Sequence, residues 1–94
     1  MASLPRVSLS AAAREDMRSA AGFYNKRRSG LGDRFMREVA ENLDVIVERP
    51  LSFPTIHRDI RRTMLRLFPD GIFFRVQPNV IRVLAVMDLR RHPR

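Results

Sequence analysis

The chain has 94 residues, no cysteine and a formal net charge of +8. Disulfides and thiolate metal sites are therefore excluded, and one domain spanning residues 1–94 must be held together by packing alone. No apolar run approaches the roughly 20 residues that a membrane span requires, so we expect a soluble cytoplasmic protein.

The basic residues are almost all arginines and are concentrated in the second half of the chain. Of the 18 basic side chains 17 are arginine, and only Lys26 is lysine. Residues 51–94 carry nine basic and three acidic groups, a net charge of +6, whereas residues 1–50 carry nine and seven, a net charge of +2. Guanidinium groups remain ionised and bind carboxylates or phosphates through two parallel hydrogen bonds. The second half of the chain is therefore expected to face an anionic partner.

The first third of the sequence predicts a short strand and then a helix. Residues 7–9 alternate like an edge strand, and Ser10 provides a side-chain oxygen suited to the first turn of a helix. Apolar residues then follow helical spacing at Ala13, Met17, Ala20, Ala21 and Tyr24. Basic residues 26–28 suit the negative end of the helix dipole, and Gly30 ends the helix.

A second helix is expected to begin near Gly32 and to end before Pro50. Its apolar stripe recurs at i, i+4, i+8 and i+11 and consists of Phe35, Val39, Leu43 and Ile46. Carboxylates at Glu38, Glu41 and Asp44 alternate with Arg34 and Arg37. This alternation is typical of a solvated, salt-bridged helix face and argues against a catalytic carboxylate pair.

The remaining residues predict a loop over 49–59 and an antiparallel meander with strands at 60–67, 72–77 and 80–87. Turn signals separate the strands at 69–71, with the sequence Pro-Asp-Gly, and at 78–79, with the sequence Pro-Asn. The last strand is apolar on both alternations except at Arg82, which favours a central position. The N-terminal strand could join the same sheet. The predicted fold class is α+β, in the order β-α-α-β-β-β, with an antiparallel sheet flanked by an N-terminal helical hairpin.

No catalytic, metal or cofactor site is predicted. His57 and His92 have no second ligand at a helical or strand spacing, and no serine has the Gly-x-Ser-x-Gly context of a nucleophile. Gly30 and Gly32 lie between two predicted helices and do not follow a strand, so they do not form a phosphate-binding loop.

The residues predicted to bind a partner or target lie on the meander, at its turns and in the C-terminal tail. Successive residues of a strand point to opposite faces, so Arg62 and Arg66 are expected on one side and Arg61 on the other. For a single arginine, protection of a sheet edge by charge is an alternative explanation. The predicted set is Arg61, Arg62, Arg66, Phe68, Pro69, Arg82, Arg90, Arg91 and Pro93.

Four short sequence motifs resemble the ParE branch of the RelE/ParE toxin superfamily. Their order, and their positions around the predicted helices and strands, extend the resemblance over almost the whole chain. They are Gly-Leu-Gly-Asp-Arg-Phe at 30–35, Ile-Arg-Arg at 60–62, Phe-Pro at 68–69 and Arg-Arg-His-Pro at 90–93. Members are toxins of type II toxin–antitoxin modules, often called plasmid stabilisation proteins. The resemblance implies DNA gyrase as the target and an acidic antitoxin, encoded nearby, that wraps the toxin in a hetero-oligomer, expected to be a heterotetramer. It implies neither membrane binding nor specific readout of nucleic acid.

The chain departs from the family pattern at Asp70 and Phe74, where tyrosines are frequent. The RelE branch cuts mRNA on the ribosome, and many of its members use a C-terminal tyrosine that this chain lacks. The first meander strand also has no lysine. These absences favour a non-enzymatic inhibitor. A RelE-like ribosome-dependent mRNA endoribonuclease and a basic nucleic-acid-binding module remain as alternatives, although the second lacks a recognised motif.

Overall fold

The computed structural model describes residues 4–91. Five strands and two long helices follow each other along the chain: β1 (Arg6–Leu9), α1 (Ala11–Arg27), α2 (Leu31–Glu48), a 3-10 turn (Pro50–Ser52), β2 (Thr55–His57), β3 (Ile60–Met64), β4 (Asp70–Gln77) and β5 (Val80–Asp88). Within these residues no helix is both long enough and apolar enough to cross a membrane.

The strands form one mixed sheet in the order β1-β5-β4-β3-β2. The predicted antiparallel meander is confirmed as β3-β4-β5, and β5 is an interior strand as expected. β1 joins the sheet parallel to β5. The segment predicted as a loop over 49–59 differs, because β2 pairs with β3 through a tight turn in which Arg58 has φ of 51°.

The two apolar stripes predicted for the helices form the core on one face of the sheet. Met17 and Tyr24 of α1 and Phe35 and Ile46 of α2 are all buried. They pack against the side chains that the sheet presents on that face, which include Ile72, Phe74, Ile81, Val83 and Val86. Over the part of the chain that the structure describes, the helical hairpin therefore covers one face of the sheet and leaves the other without a helix.

The hairpin connection depends on two glycines. Gly30 has φ of +87°, a left-handed conformation that favours glycine. A Cβ atom at Gly32 would overlap the carbonyl oxygen of Ala21 and lie 2.7 Å from the Asn25 side chain. The Gly32 amide also donates to Asn25 Oδ1 at 2.8 Å, so α1 and α2 are joined at close range.

Polar side chains of the first helix complete the hydrogen bonding of β5 where its pairing is irregular. The register between β4 and β5 skips Leu84, which forms a bulge. The Ser10 hydroxyl, which caps α1 by accepting from the Ala13 amide at 2.9 Å, donates to the Leu84 carbonyl at 3.0 Å. Asp16 accepts from the Val86 amide at 3.0 Å. The start of α1 is thereby fixed against the bulge.

The turn between β3 and β4 lies earlier than predicted, and a buried carboxylate holds it. β3 ends at Met64, and β4 already begins at Asp70, which was expected in the turn. Glu38 was expected on a solvated surface, but its carboxylate is nearly buried and accepts from the backbone amides of Arg66 and Leu67. The α2 helix therefore satisfies backbone donors that the turn would otherwise leave unpaired.

Candidate partner-binding surface

The sheet face opposite the helices, called here the outer face, gathers arginines around apolar residues. Directly paired residues of neighbouring strands share a face, so the pairings place Arg62, Phe73 and Ala85 in one row. On one side of this row lies a second, which contains His57, Ile60, Arg75, Arg82 and Ser8. On the other side lies a third, which contains Met64, Gly71 and Met87.

The centre of the outer face is apolar. Phe73 is only 6% exposed although it lies outside the core cluster formed with the helices. Its direct neighbours are Arg62, whose aliphatic stem can cover apolar surface, and Ala85. Met64 is 44% exposed. Since Phe73 is already covered, the apolar area that a partner could bury here is mainly the Met64 side chain, with guanidinium groups nearby.

The charge of the outer face is only partly compensated. Arg75 and Arg82 lie directly opposite each other on β4 and β5, an arrangement that costs free energy for like charges. Arg75 forms an ion pair with Asp59 at 3.0 Å, but Arg82 donates to the neutral Ser8 hydroxyl at 2.5 Å. Among residues 4–91 neither Arg62 nor Arg82 forms an ion pair. An anionic partner would relieve this repulsion.

The first arginine pair divides into two different roles. Arg61 points away from the outer face and donates to the carbonyls of Phe53 at 2.5 Å and Leu51 at 3.4 Å. It therefore fastens the 3-10 segment to β3. Arg62 lies on the outer face and makes no side-chain hydrogen bond within the described residues. Of the two, Arg62 is the one with a guanidinium group available to a partner.

The three predicted residues near the β3–β4 turn also differ in exposure. Arg66 is exposed, but it lies beyond the end of β3 and so does not share a strand face with Arg62. Phe68 is buried in the core, with its ring centroid 4.8 Å from that of Tyr24. Its interpretation as a surface contact is corrected, since core packing occupies this ring. Pro69 is half-buried.

The C-terminal arginines meet two buried carboxylates. Asp70 and Asp88 are direct cross-strand partners at the end of the sheet. Arg91 lies 3.7 Å from Asp70 and 3.6 Å from Asp88, and its guanidinium stacks over Phe23 at 4.1 Å from the ring centroid. Arg90 pairs with Asp88 at 3.3 Å. Pro93 lies outside the described residues.

A hydrogen bond from Tyr24 to Asp70 completes this buried cluster. Burial raises the pKa of Asp70, although the Tyr24 hydroxyl and Arg91 both favour its charged form. Burial and the bond to Asp70 raise the pKa of Tyr24, so its phenol stays protonated at neutral pH. Burial alone would raise the pKa of Asp88, but the hydrogen bonds and charge of Arg90 outweigh it and lower that pKa. The cluster thus fixes the start of the C-terminal tail against α1.

Sequence reasoning missed four residues of these two sites. Helical spacing places Tyr24 in the core stripe but predicts no role for its hydroxyl, and the Pro-Asp-Gly sequence predicts a turn at Asp70. Asp88 was not considered as a partner for the arginines that follow it, although an acid two or three residues from them is a usable signal. Arg75 is one of the nine basic residues of 51–94, but its position opposite Arg82 depends on the register of the hairpin.

No metal site is apparent in the part of the chain that the structure covers, residues 4–91, because no three His, Asp or Glu residues are grouped so as to hold an ion. No protein-family model matches the sequence. A search of curated proteins also returned no match.

The fold, in contrast, has a clear counterpart among solved structures. A chain of the chromosomal ParDE TA (toxin–antitoxin) system from P. aeruginosa superimposes with a TM-score of 0.80. The match covers 90% of this chain and 96% of that chain, at 15% sequence identity. The chain therefore has a ParE-like fold, as the four short sequence motifs predicted.

Proposed function

We propose that this chain is the toxin of a type II toxin–antitoxin pair, that it inhibits DNA gyrase by binding, and that an acidic antitoxin neutralises it. The observation that carries the proposal is the outer face, on which Arg62, Arg75 and Arg82 surround Phe73. The ParE-like fold, and the resemblance of the four short sequence motifs to the ParE branch, support the same function.

A binding mechanism is favoured because the outer face has few groups able to transfer protons. Its ionisable residues within 4–91 are arginines, which stay protonated and cannot act as general bases, and one histidine, His57, which pairs with Ile60 on the exposed edge strand β2. The single tyrosine, Tyr24, lies on the helix side of the sheet and donates to Asp70. General acid–base help typically contributes about 10²–10⁴-fold in rate, and an arginine surface alone would lack it.

The antitoxin is proposed to be acidic because the net charge of +8 is concentrated in residues 51–94. Complementary charge raises association rates and selects partners. Arg62 and Arg82, which form no ion pair within residues 4–91, are proposed as the main contacts. Arg90 and Arg91 are proposed as secondary contacts, because Asp70 and Asp88 already pair with them. Arg61 is less suited to this role, because it already binds two backbone carbonyls.

The test measures supercoiling by purified gyrase and cleavage of translated mRNA after induction of the chain. We expect inhibited supercoiling, intact mRNA, and loss of inhibition in Arg62→Glu/Arg82→Glu. Lys26→Glu/Arg28→Glu, at the exposed end of α1, makes the same charge change and should retain inhibition. Circular dichroism checks that both variants fold. Codon-register cuts with unaffected gyrase would overturn the proposal and support the RelE-like endoribonuclease, with the same arginines stabilising phosphate charge.

A further inference from the structure

The free edge of the sheet at β1 borders a basic cleft that lies apart from the apolar centre of the outer face. The cleft has a volume of about 760 Å³ and is lined by all four β1 residues together with Arg14, Leu43, Gln77, Val80 and Arg82. It therefore runs along β1, between the helix layer on one side and the outer face on the other.

The backbone of β1 has unused hydrogen-bonding groups on this side. The Arg6 amide donates to the Asn79 carbonyl at 3.2 Å, and the Ser10 amide donates to the Val83 carbonyl at 3.0 Å. In a parallel strand the groups of alternate residues point to opposite sides. The amides and carbonyls of Val7 and Leu9 consequently point away from β5, toward the cleft.

The side chains around this edge are selective for negative charge. Arg6, Arg14 and Arg82 line the cleft, and no carboxylate of the described residues does. None of these three arginines forms an ion pair with any residue in the range 4–91. A second copy of β1 would bring its own Arg6 to this edge, so the charge opposes self-association and favours an acidic strand.

From these observations we infer that an extended acidic segment of the antitoxin binds along β1 as a sixth strand of the sheet. Its backbone pairs with Val7 and Leu9, and its carboxylates meet Arg6, Arg14 and Arg82. Strand addition of this kind derives affinity from main-chain hydrogen bonds and specificity from alternate side chains. The inference rests on the proposed function, since it specifies where the acidic partner binds.

Hydrogen exchange of single amides tests the strand pairing, with the chain co-expressed with the small acidic protein encoded beside its gene. In the complex the Val7 and Leu9 amides should exchange about tenfold or more slowly than in the free chain, because each new hydrogen bond must open first. The Arg6 amide, already bonded to Asn79, should change far less and serves as the internal control.

Charge reversal tests the second half of the inference. Arg6→Glu/Arg14→Glu should weaken the complex by about tenfold or more, whereas Lys26→Glu/Arg28→Glu, outside the cleft, should weaken it much less. A complex that forms without protection at Val7 and Leu9, or equal losses in the two double variants, would overturn the sixth strand and leave the toxin–antitoxin proposal standing. Failure of the acidic protein to bind at all would overturn both.

Discussion

Replacing Tyr24 with phenylalanine should test whether the buried cluster stabilises the fold. The substitution removes only the hydroxyl, because a phenylalanine ring can keep the contacts with Phe35 and Phe68, whose centroids lie 5.3 Å and 4.8 Å away. Asp70 is completely buried, and among residues 4–91 its Oδ2 atom has no hydrogen-bond donor. Without the Tyr24 hydroxyl neither oxygen of this carboxylate would accept a side-chain hydrogen bond.

The expected loss is about 1.5–3 kcal/mol, the typical contribution of a hydrogen bond to a charged group. For a domain of this size each kcal/mol lowers Tm by about 4–8 °C, so a fall of roughly 6–24 °C is expected. The Tyr24 hydroxyl favours the charged form of Asp70. The loss should therefore be largest above the folded-state pKa of Asp70 and shrink as the pH falls through it.

Urea denaturation followed by circular dichroism, at neutral and at acidic pH, measures this loss. Tyr24→Phe, Asp70→Asn and the double variant form a cycle that isolates the interaction between the two side chains. A cost below about 0.5 kcal/mol at neutral pH, or a coupling near zero, would refute the reasoning, because surface substitutions of no consequence fall in that range.

Two further substitutions, and the pH profile of Asp70→Asn, test the connections described above. Gly32→Ala should destabilise the fold by at least about 1–3 kcal/mol, because the added Cβ would overlap α1. Gly22→Ala, with open space around it, should stabilise the fold by about 0.5–1 kcal/mol. Thermal unfolding of both variants compares the two effects. Glu38→Gln should cost about 1–3 kcal/mol in urea denaturation because it weakens the acceptor for two turn amides, whereas exposed Glu41→Gln should stay within about 0.5 kcal/mol. Burial raises the folded-state pKa of Asp70 above its ordinary 3.8. The stability contributed by this shift is fully present below pH 3.8 and is lost as the pH rises through the folded-state pKa. Asp70→Asn should remove this part of the pH dependence of unfolding, and an unchanged pH profile would contradict the argument.

Helices and strands whose apolar residues recur at a regular spacing over several turns or residues were predictable, and short or exposed elements were not. The stripe through Phe35, Val39 and Ile46 extends over three turns, so both the existence of α2 and its buried face follow from spacing. β2 has three exposed residues and no alternation that a sequence pattern could reveal. It forms because the turn at Arg58 brings it back alongside β3.

The buried carboxylates were the hardest features to predict, because their partners are distant along the chain. Asp70 follows a proline and precedes a glycine, a context typical of a turn. Its burial is decided by Tyr24, which is 46 residues away, and by Arg91. Glu38 similarly depends on a turn that lies 28 residues further along the chain. Local sequence carries neither piece of information.

The distribution of opposite charge explains why the outer face and the β1 edge are better candidates for binding than the arginine pairs as such. Residues 51–94 contain only three carboxylates, Asp59, Asp70 and Asp88. All three are paired with Arg75, Arg90 or Arg91. The remaining arginines of the sheet must draw their counter-charges from elsewhere. Apart from Arg61, those arginines lie on the outer face and along the β1 edge, so a partner that supplies carboxylates at these two places would gain the most from binding.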